Sequence, residues 1–235
     1  MKQSIFLLAL CVSLHSFSQK ITGKQLLEKA ITFHDPSNHW STFDGTLLVN
    51  METPNRPTRE SVIKINLPAE YFYVSAKRDT ITTEYTIDKG NCAFAVNGKS
   101  DLSEEEKKSF NVNCDRANLY KNYYTYLYGL PMKLKDEGTI IHEKVEVKKF
   151  KGKEYLVLKA TYKESVGKDT WYFYFNPKTY AMEVYQFFKD ESKNDGEYIL
   201  LSGLEEINGI KMPKRRAWYY NKNDGYLGTD ILLEK

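Results

Sequence analysis

The sequence predicts an α+β protein: a curved antiparallel half-barrel of about 11–13 strands, with N-terminal and inserted helices covering the concave side. Three observations predict this class. Apolar and polar residues alternate in short stretches through most of residues 43–233, turn residues separate these stretches, and two segments change to helical spacing. Alternation gives each strand one apolar face, and many such faces are buried only when a sheet curls around them or stacks on a second sheet.

Residues 1–18 are predicted to be a cleaved signal peptide. Lys2 supplies the charged start, residues 5–12 the apolar stretch, and residues 16–18 (Ser-Phe-Ser) a cleavage site of small residues. The apolar stretch is far shorter than the roughly 20 residues that span a bilayer. Cys11 follows a leucine instead of a small residue, so lipidation is not expected. We therefore expect a periplasmic or secreted protein.

Residues 19–235 are expected to form a single domain, since a chain of this length can bury a sizeable core. The formal net charge is +3 and becomes +2 without Lys2, and no long block of like charge is present. A nucleic-acid surface is therefore not expected. A small basic cluster surrounds Pro213 and comprises Lys211, Lys214, Arg215 and Arg216. A solvated strand end is the favoured interpretation, and contact with anionic lipid headgroups is the alternative.

The first predicted element is an amphipathic helix. Thr22 followed by Gln25 is a capping box, apolar residues then recur at helical spacing through Phe33, and Asp35-Pro36 ends the pattern. A meander of antiparallel strands follows, separated by Pro, Asn, Asp and Gly turn signals. Its strands are predicted near 44–52, 59–67, 70–77, 80–88 and 91–97.

A helical insertion separates this meander from a second one. Ser103 with Glu106 is another capping box, Asp115 is the predicted N-cap of a longer helix, and residues 129–131 (Gly-Leu-Pro) end it. The second meander is richer in aromatic residues. Its strands are predicted near 140–149, 153–163, 169–175, 180–189, 196–204, 206–211, 214–221 and 226–233.

The strand near 169–175 is aromatic on both faces. Trp171, Phe173 and Phe175 share one face, and Tyr172 and Tyr174 share the other. A central strand with the core on one side and a helix on the other is the favoured interpretation, because buried aromatic residues usually pack. A ligand pocket lined by these rings is the alternative.

Cys92 and Cys114 are the cysteines that remain beyond the predicted signal. In an oxidising compartment we expect them to form a structural disulfide. A catalytic dithiol usually has a C-x-x-C spacing, and a zinc site would need two further ligands nearby.

Catalysis is not expected from the motifs present. The sequence contains no G-x-S-x-G nucleophile elbow, and His142-Glu143 lacks the second histidine of H-E-x-x-H. His34, Asp35 and His39 are the best metal-ligand candidates, but a capping and packing role is favoured for them because residues 35–38 form a sound turn. No metal, no cofactor and no enzymatic activity are predicted, and a hydrolase using His34 or His39 ranks last.

The inserted helix carries tyrosines around most of its circumference. Tyrosine suits a boundary that is dry on one side and wet on the other. The helix is therefore interpreted as a lid over the open end of the curved sheet, with Tyr123, Tyr124 and Tyr126 as the lid residues. A helix that plugs the sheet as part of the core is an equally weighted alternative.

The order of elements and several local motifs resemble the periplasmic LolA/LolB-like superfamily, in particular secreted members from Bacteroidetes-type bacteria. The motifs are the Leu67-Pro68 corner after a strand, residues 88–90 (Asp-Lys-Gly), residues 171–179 leading into Met182-Glu183, and residues 207–213. The resemblance covers nearly all of the chain beyond the signal. It implies a half-barrel with helices over its mouth.

The resemblance also implies an apolar cavity for an acyl chain or a similar ligand. Carriers of this superfamily place an arginine before the corner proline, whereas this chain has Leu67, so their lid latch is not expected here. Strand parity selects the candidate cavity-lining residues Ile65, Phe72, Val74, Phe94, Phe173, Met182 and Trp218. We therefore predict a binding protein that holds a lipid or other apolar small molecule in the concave cavity of the sheet, with a membrane surface or a lipoprotein as further partners. The rival is an interaction or structural module of the envelope with a filled core.

Overall fold

A computed structural model describes residues 20–234 of the chain. The predicted signal peptide, with Cys11, lies outside the described residues. The helices α1, α2 and α3 span Gly23–His34, Glu104–Phe110 and Cys114–Gly129, and short 3-10 turns span His39–Thr42, Met132–Lys135 and Glu191–Lys193.

The strands form one open antiparallel sheet, in agreement with the predicted class. In chain order β1 to β13 span Asp44–Thr53, Arg56–Asn66, Tyr71–Arg78, Ile81–Asp88, Asn91–Val96, Thr139–Ile141, Glu146–Phe150, Lys153–Tyr162, Thr170–Phe175, Met182–Phe188, Glu197–Ile207, Ile210–Tyr220 and Tyr226–Leu233. Their order across the sheet is β5-β4-β3-β2-β1-β13-β12-β11-β10-β9-β8-β6, and β7 also pairs with β8. Pairing of β1 with β13 joins the two meanders, so the chain builds one curved sheet that does not close into a barrel.

The ends of the strands gather at two rims of the sheet, because neighbouring strands run in opposite directions. The α1 rim holds the first residues of β1, β10 and β12, and the His34 ring at the end of α1 bonds to Lys211 and Met182 there. The opposite end, the α3 rim, holds the last residues of β1, β3 and β12 and the first residues of β2, β9 and β13. Helix α3 packs against β3, β4 and β5 near that rim.

The main core fills the concave side of the sheet. Leu26, Leu27 and Ala30 of α1 and Tyr124 and Leu127 of α3 are buried in it together with the inward positions of the strands. A second, smaller core lies on the outer face of the sheet. It consists of Tyr155, Val157, Tyr174 and Val184, with Phe150, Tyr172 and Leu200 packed against it.

The two-faced strand β9 therefore separates two cores. Phe173 and Phe175 belong to the main core and Tyr174 to the outer one. The expectation of a helix behind β9 is wrong, because the outer core is covered by side chains of neighbouring strands, with the Phe150 ring 5.1 Å from the Tyr174 ring.

Local signals predicted most element ends. The capping boxes of Thr22 with Gln25 and of Ser103 with Glu106 are both present. The N-cap of α3 is Asn113 and not Asp115, because the Asn113 side chain accepts the Arg116 N–H at 2.7 Å and thereby starts the helix two residues earlier.

Three predicted strand boundaries are also wrong. The strand predicted near 140–149 is split into β6 and β7. The breaks predicted within residues 204–206 and 211–214 are absent from the described sheet, because β11 and β12 run through them. The hairpin turn between these two strands lies at Asn208-Gly209, inside the strand predicted near 206–211, and both residues have a positive φ as this tight turn requires.

Candidate functional site

A groove follows the α3 rim between α3 and the strand ends. Its larger part is an aromatic cleft of about 780 Å³. Tyr123, Tyr126, Tyr162, Trp171 and Trp218 supply its rings, and Leu119 and Val166 lie at its mouth. A smaller cavity of about 240 Å³ adjoins it and shares Tyr123 and Trp218 with it. We call the two together the rim groove.

The rings of the rim groove pack on one another in regular geometries. Tyr123 stacks on Trp218 at 5.9 Å between ring centres, and Tyr126 meets Trp171 edge to face at 5.6 Å. Trp171 also stacks on Phe187 at 4.9 Å. Such offset and edge-on arrangements hold aromatic side chains in place, so the rings that line the groove are ordered.

Helix α3 is fastened to the sheet by the hydroxyl groups of its tyrosines. Tyr123 donates to Asp230 Oδ2 at 2.6 Å, and Tyr124 accepts from Arg59 Nη2 at 3.2 Å. The Tyr126 hydroxyl bonds to the Tyr162 hydroxyl on β8. The three residues predicted as the lid thus bond to side chains on β13, β2 and β8. Tyr124 is itself fully buried in the core.

The polar groups beneath the groove are shifted towards their uncharged forms. Burial, and then the neighbouring Asp230 carboxyl, raises the pKa of Tyr123 well above its usual value. Burial also raises the pKa of Asp230, while the hydrogen bond from Tyr123 and the nearby Arg59 and Arg216 oppose that rise. The floor of the groove therefore offers apolar rings with a bonded hydroxyl-carboxyl pair behind them.

The mouth of the aromatic cleft exposes large apolar side chains. Leu119 on α3 is 57% exposed, and Val166 in the connection between β8 and β9 is 56% exposed. Both line the cleft. Scattered apolar residues are ordinary on protein surfaces, but two that flank one aromatic cleft extend its apolar surface outwards.

The residues selected by strand parity all lie on the concave side, in or against the main core. Trp218 lines the rim groove, whereas Phe72, Val74, Phe173 and Met182 are at most 2% exposed and pack deep in the core. Ile65 is equally buried, and Phe94 packs partly buried against the same cluster. Parity identifies the face of a strand, but it does not show which residues on that face lie near the rim where the groove opens.

The sequence did not point to Leu119 and Val166, or to Met51, which lines the smaller cavity. Trp171 was named only in the alternative of a pocket lined by the rings of its strand, and it does line the aromatic cleft at the rim. The signal that identifies them is the position of each residue next to a strand end at the α3 rim, which requires the pairing order of the strands.

The basic cluster around Pro213 is not a solvated strand end throughout. Arg216 is fully buried, and its guanidinium carbon lies 3.8 Å from the centre of the Tyr128 ring. Strand alternation explains this correction, because Arg215 faces solvent and the next residue must face the core.

His34, Asp35 and His39 have structural hydrogen-bonding roles. His34 Nδ1 lies 2.6 Å from the Lys211 carbonyl oxygen, and Nε2 accepts the Met182 N–H at 3.0 Å. The Asp35 carboxylate accepts the N–H groups of His39 and Trp40 and so caps the 3-10 turn. This arrangement matches the capping and packing role predicted for them.

Cys92 and Cys114 form the predicted disulfide, with their Cα atoms 5.7 Å apart. It joins β5 to the first residue of α3. The bond therefore fixes the start of the helix that walls the rim groove.

A different cleft, of about 930 Å³, lies at the α1 rim. Ile65 contributes to it, but charged residues such as Lys64, Asp88, Glu205 and Glu206 also line it. Charged residues line the aromatic cleft as well, namely Lys133, Asp136, Glu137 and Asp169. Five aromatic rings line that cleft, however, whereas Tyr71 is the one aromatic residue in the lining of the α1-rim cleft, so the rim groove is the better candidate for an apolar ligand.

The curved open sheet with helices over its concave side is a LolA-like fold. A LolA superfamily protein from Nitrosomonas europaea has 14% sequence identity and a TM-score of 0.54, over 91% of this chain and 92% of that chain. A DUF1329 family protein from Desulfovibrio piger has 12% identity and a TM-score of 0.51, over 91% of this chain and 92% of that chain.

The chain belongs to the family of unknown function DUF6503, whose model matches residues 3–235. No functionally curated protein matches the sequence. None of the helices within residues 20–234 has the length and apolar character of a membrane span.

Proposed function

We propose that this protein is a periplasmic or secreted binding protein that holds a lipid or other apolar ligand in the rim groove. The observation that carries the proposal is the aromatic cleft of about 780 Å³ with Leu119 and Val166 exposed at its mouth. The LolA-like fold supports the assignment to the cell envelope. The whole of residues 19–235 acts as one domain, and the predicted signal exports it.

An acyl chain fits this site on energetic grounds. Each buried methylene contributes about 0.8 kcal/mol, so a chain of moderate length binds without any charged partner. The groove offers tryptophan and tyrosine faces for such contacts. Tyr123 and Tyr126 position α3 as the lid, and opening of α3 would break their bonds to Asp230 and Tyr162.

The seven residues selected by parity act differently in this proposal. Trp218 contacts the ligand, and Phe173, which stacks on Trp171 at 5.9 Å between ring centres, forms part of the floor that supports the groove. Phe72 lies near the start of β3, towards the opposite rim, and belongs to the packed core. Entry of a ligand into that floor would require the core to separate. The packed floor is also what favours the rival function, an interaction or structural module of the envelope.

A neutral apolar fluorophore, N-phenyl-1-naphthylamine, tests the proposal directly. We expect it to bind the purified protein with increased fluorescence and to be displaced by long-chain fatty acids. Leu119→Asp and Val166→Asp place a charge at the mouth and should weaken binding about tenfold, which corresponds to about 1.4 kcal/mol of lost apolar contact.

Val147→Asp is the matched control, because Val147 is 64% exposed on β7 and does not line the groove. It should bind the fluorophore as the unchanged protein does. Equal binding by all three variants, or no binding by the unchanged protein, would reject the rim groove as the ligand site and favour the envelope module.

A further inference from the structure

A second cleft at the α3 rim is lined by arginines. It has a volume of about 690 Å³ and lies between β1 to β4 and the start of α3. Arg56, Arg59, Arg78 and Arg116 line it, together with Thr53 and Tyr120. We call it the arginine cleft.

The arginine cleft has no balancing carboxylates. Of the described residues that line it, none is Asp or Glu. Within residues 20–234 the four guanidinium groups form no ion pair with a carboxylate, whereas lysines form all of the ion pairs present. Asp230 lies near Arg59 but outside the lining of the cleft. Its Oδ2 accepts from the Tyr123 hydroxyl, its Oδ1 has no partner among the described residues, and burial raises its pKa towards the uncharged form. Positive charge is thus concentrated at one place.

Two of these arginines face each other directly. Arg59 on β2 and Arg78 on β3 are cross-strand partners, an arrangement in which like charges repel. Burial, and then the nearby Arg59 and Arg56 charges, lowers the pKa of Arg78. The repulsion between these two guanidinium groups is unfavourable, and a bound anion in the cleft would relieve it.

Donors in the cleft also lack partners. Arg59 Nε and Arg78 Nη1 are buried and make no hydrogen bond with the described residues, and the same holds for Thr53 Oγ1. Buried donors of this kind are normally bonded, so rotation of these side chains towards a ligand with several acceptor oxygens in the cleft would satisfy them.

An aromatic ring and the disulfide help to hold the guanidinium groups in position. Those of Arg59 and Arg116 lie over the Tyr120 ring, 5.6 and 5.3 Å from its centre. Arg116 and Tyr120 belong to the first half of α3, whose first residue, Cys114, is tied to β5 by the disulfide. A site ordered before its ligand arrives loses less entropy on binding.

We propose that the arginine cleft binds a phosphate group. Guanidinium groups recognise phosphate oxygens through paired, charge-assisted hydrogen bonds, and four of them match a doubly charged group better than a single carboxylate. The phosphate comes either from a free phosphate compound or from a lipid headgroup.

The headgroup source rests on the proposed function, whereas phosphate binding itself does not. Met51 lines both the arginine cleft and the smaller cavity of the rim groove. An amphiphile would therefore place its phosphate among the arginines and its chain against Trp218 and Tyr123.

Titration calorimetry and ³¹P NMR with inorganic phosphate test the proposal at constant ionic strength. We expect saturable binding that Arg78→Gln and Arg116→Gln each weaken about tenfold or more. Arg215→Gln is the matched control, because Arg215 is exposed outside the cleft and its substitution removes the same charge. Absence of phosphate binding, or equal affinity in all three variants, would overturn the proposal.

Three further ligands separate the two sources: glycerol 3-phosphate, short-chain phosphatidic acid and short-chain diacylglycerol. Much tighter binding of phosphatidic acid than of glycerol 3-phosphate, with the gain lost in Leu119→Asp, supports the headgroup source. Equal binding of both supports a free phosphate compound. If phosphate binds while diacylglycerol and the neutral fluorophore do not, the proposed apolar function fails and the phosphate site stands.

Discussion

The guanidinium carbon of Arg216 lies 3.8 Å from the centre of the Tyr128 ring, and both side chains are fully buried. Arg216 Nη1 donates to the Pro213 carbonyl oxygen at 2.9 Å, whereas Nε and Nη2 have no partner among the described residues. Asp230 is the cross-strand partner of Arg216 and is equally buried. A cation, a π face and a carboxyl group thus share the apolar core below α3.

Removal of the Arg216 charge should destabilise the protein through Asp230. Arg216→Met keeps an apolar side chain of similar length but removes one of the two cations near the buried Asp230 carboxyl and leaves Arg59 as the other, at a cost of about 3 kcal/mol. Asp230→Asn in the same chain should recover part of this loss. Urea unfolding of both single variants and the double variant measures the coupling, with the exposed Arg215→Met as the control. Simple additivity of the two substitutions would contradict the prediction.

Acid should weaken the fold through His34. Burial lowers the pKa of His34 to about 4 from an ordinary value of 6.5, while its bond to the Lys211 carbonyl opposes this. The unfolded chain therefore takes up a proton that the folded chain does not between those pH values, and the free energy of unfolding falls by about 3 kcal/mol as the pH drops from 6.5 to 4. This stability is present above pH 6.5.

The variant His34→Gln isolates this effect. It should be less stable than the unchanged protein at pH 7 but should lack the decrease due to His34 at lower pH. Urea unfolding at a series of pH values measures the difference between the two proteins, and the exposed His39→Gln should retain the His34-dependent decrease. A constant difference between the unchanged protein and His34→Gln across the series would show that His34 does not titrate as described.

Loss of the disulfide should destabilise the protein and loosen α3. Cys92 and Cys114 are 22 positions apart, and a loop of this size corresponds to about 3 kcal/mol of chain entropy in the unfolded state. The double variant Cys92→Ser/Cys114→Ser should lose about that much free energy of unfolding. A reductant should not change the free energy of unfolding of this double variant, whereas it should lower that of the unchanged protein.

Relief of charge crowding in the arginine cleft should stabilise the ligand-free protein. Arg78→Gln removes one member of the Arg59–Arg78 cross-strand pair and should raise the free energy of unfolding by about 0.5 kcal/mol in phosphate-free buffer of low ionic strength. Added salt screens the repulsion and should shrink the gain. Denaturant unfolding of Arg78→Gln beside Arg215→Gln measures it. A less stable Arg78→Gln protein at low salt would show that Arg78 makes favourable contacts instead.

Local sequence signals were sufficient to predict most of the helices and strands. Period-two alternation located the strands, because each strand of a half-buried sheet has one wet face. Capping boxes at Thr22 and Ser103 placed two helix starts correctly, since the capping partners are only three residues apart. The pairing of Cys92 with Cys114 followed from their being the two cysteines beyond the signal.

The candidate site was only partly predictable, for a geometric reason. Strand parity placed Phe173 and Trp218 on the same concave side, but it does not tell how far each lies from the rim. That distance decides the outcome: Phe173 is fully buried in the core and Trp218 borders the groove. The arginine cleft was missed for a related reason: Arg59, Arg78 and Arg116 are widely separated along the chain, so only the folded structure shows that they meet.

What the sequence by itself determined was therefore the list of elements, their inward faces and their covalent link, since each of these depends on neighbours along the chain. The tertiary structure alone decided which inward residues meet at the α3 rim and that Arg216 enters the core beside Tyr128. The order of strands across the sheet and the position of α3 determine which of these residues come into contact. These are contacts between residues far apart in the chain, such as Arg59 with Tyr124 at a separation of 65 and Tyr126 with Tyr162 at a separation of 36.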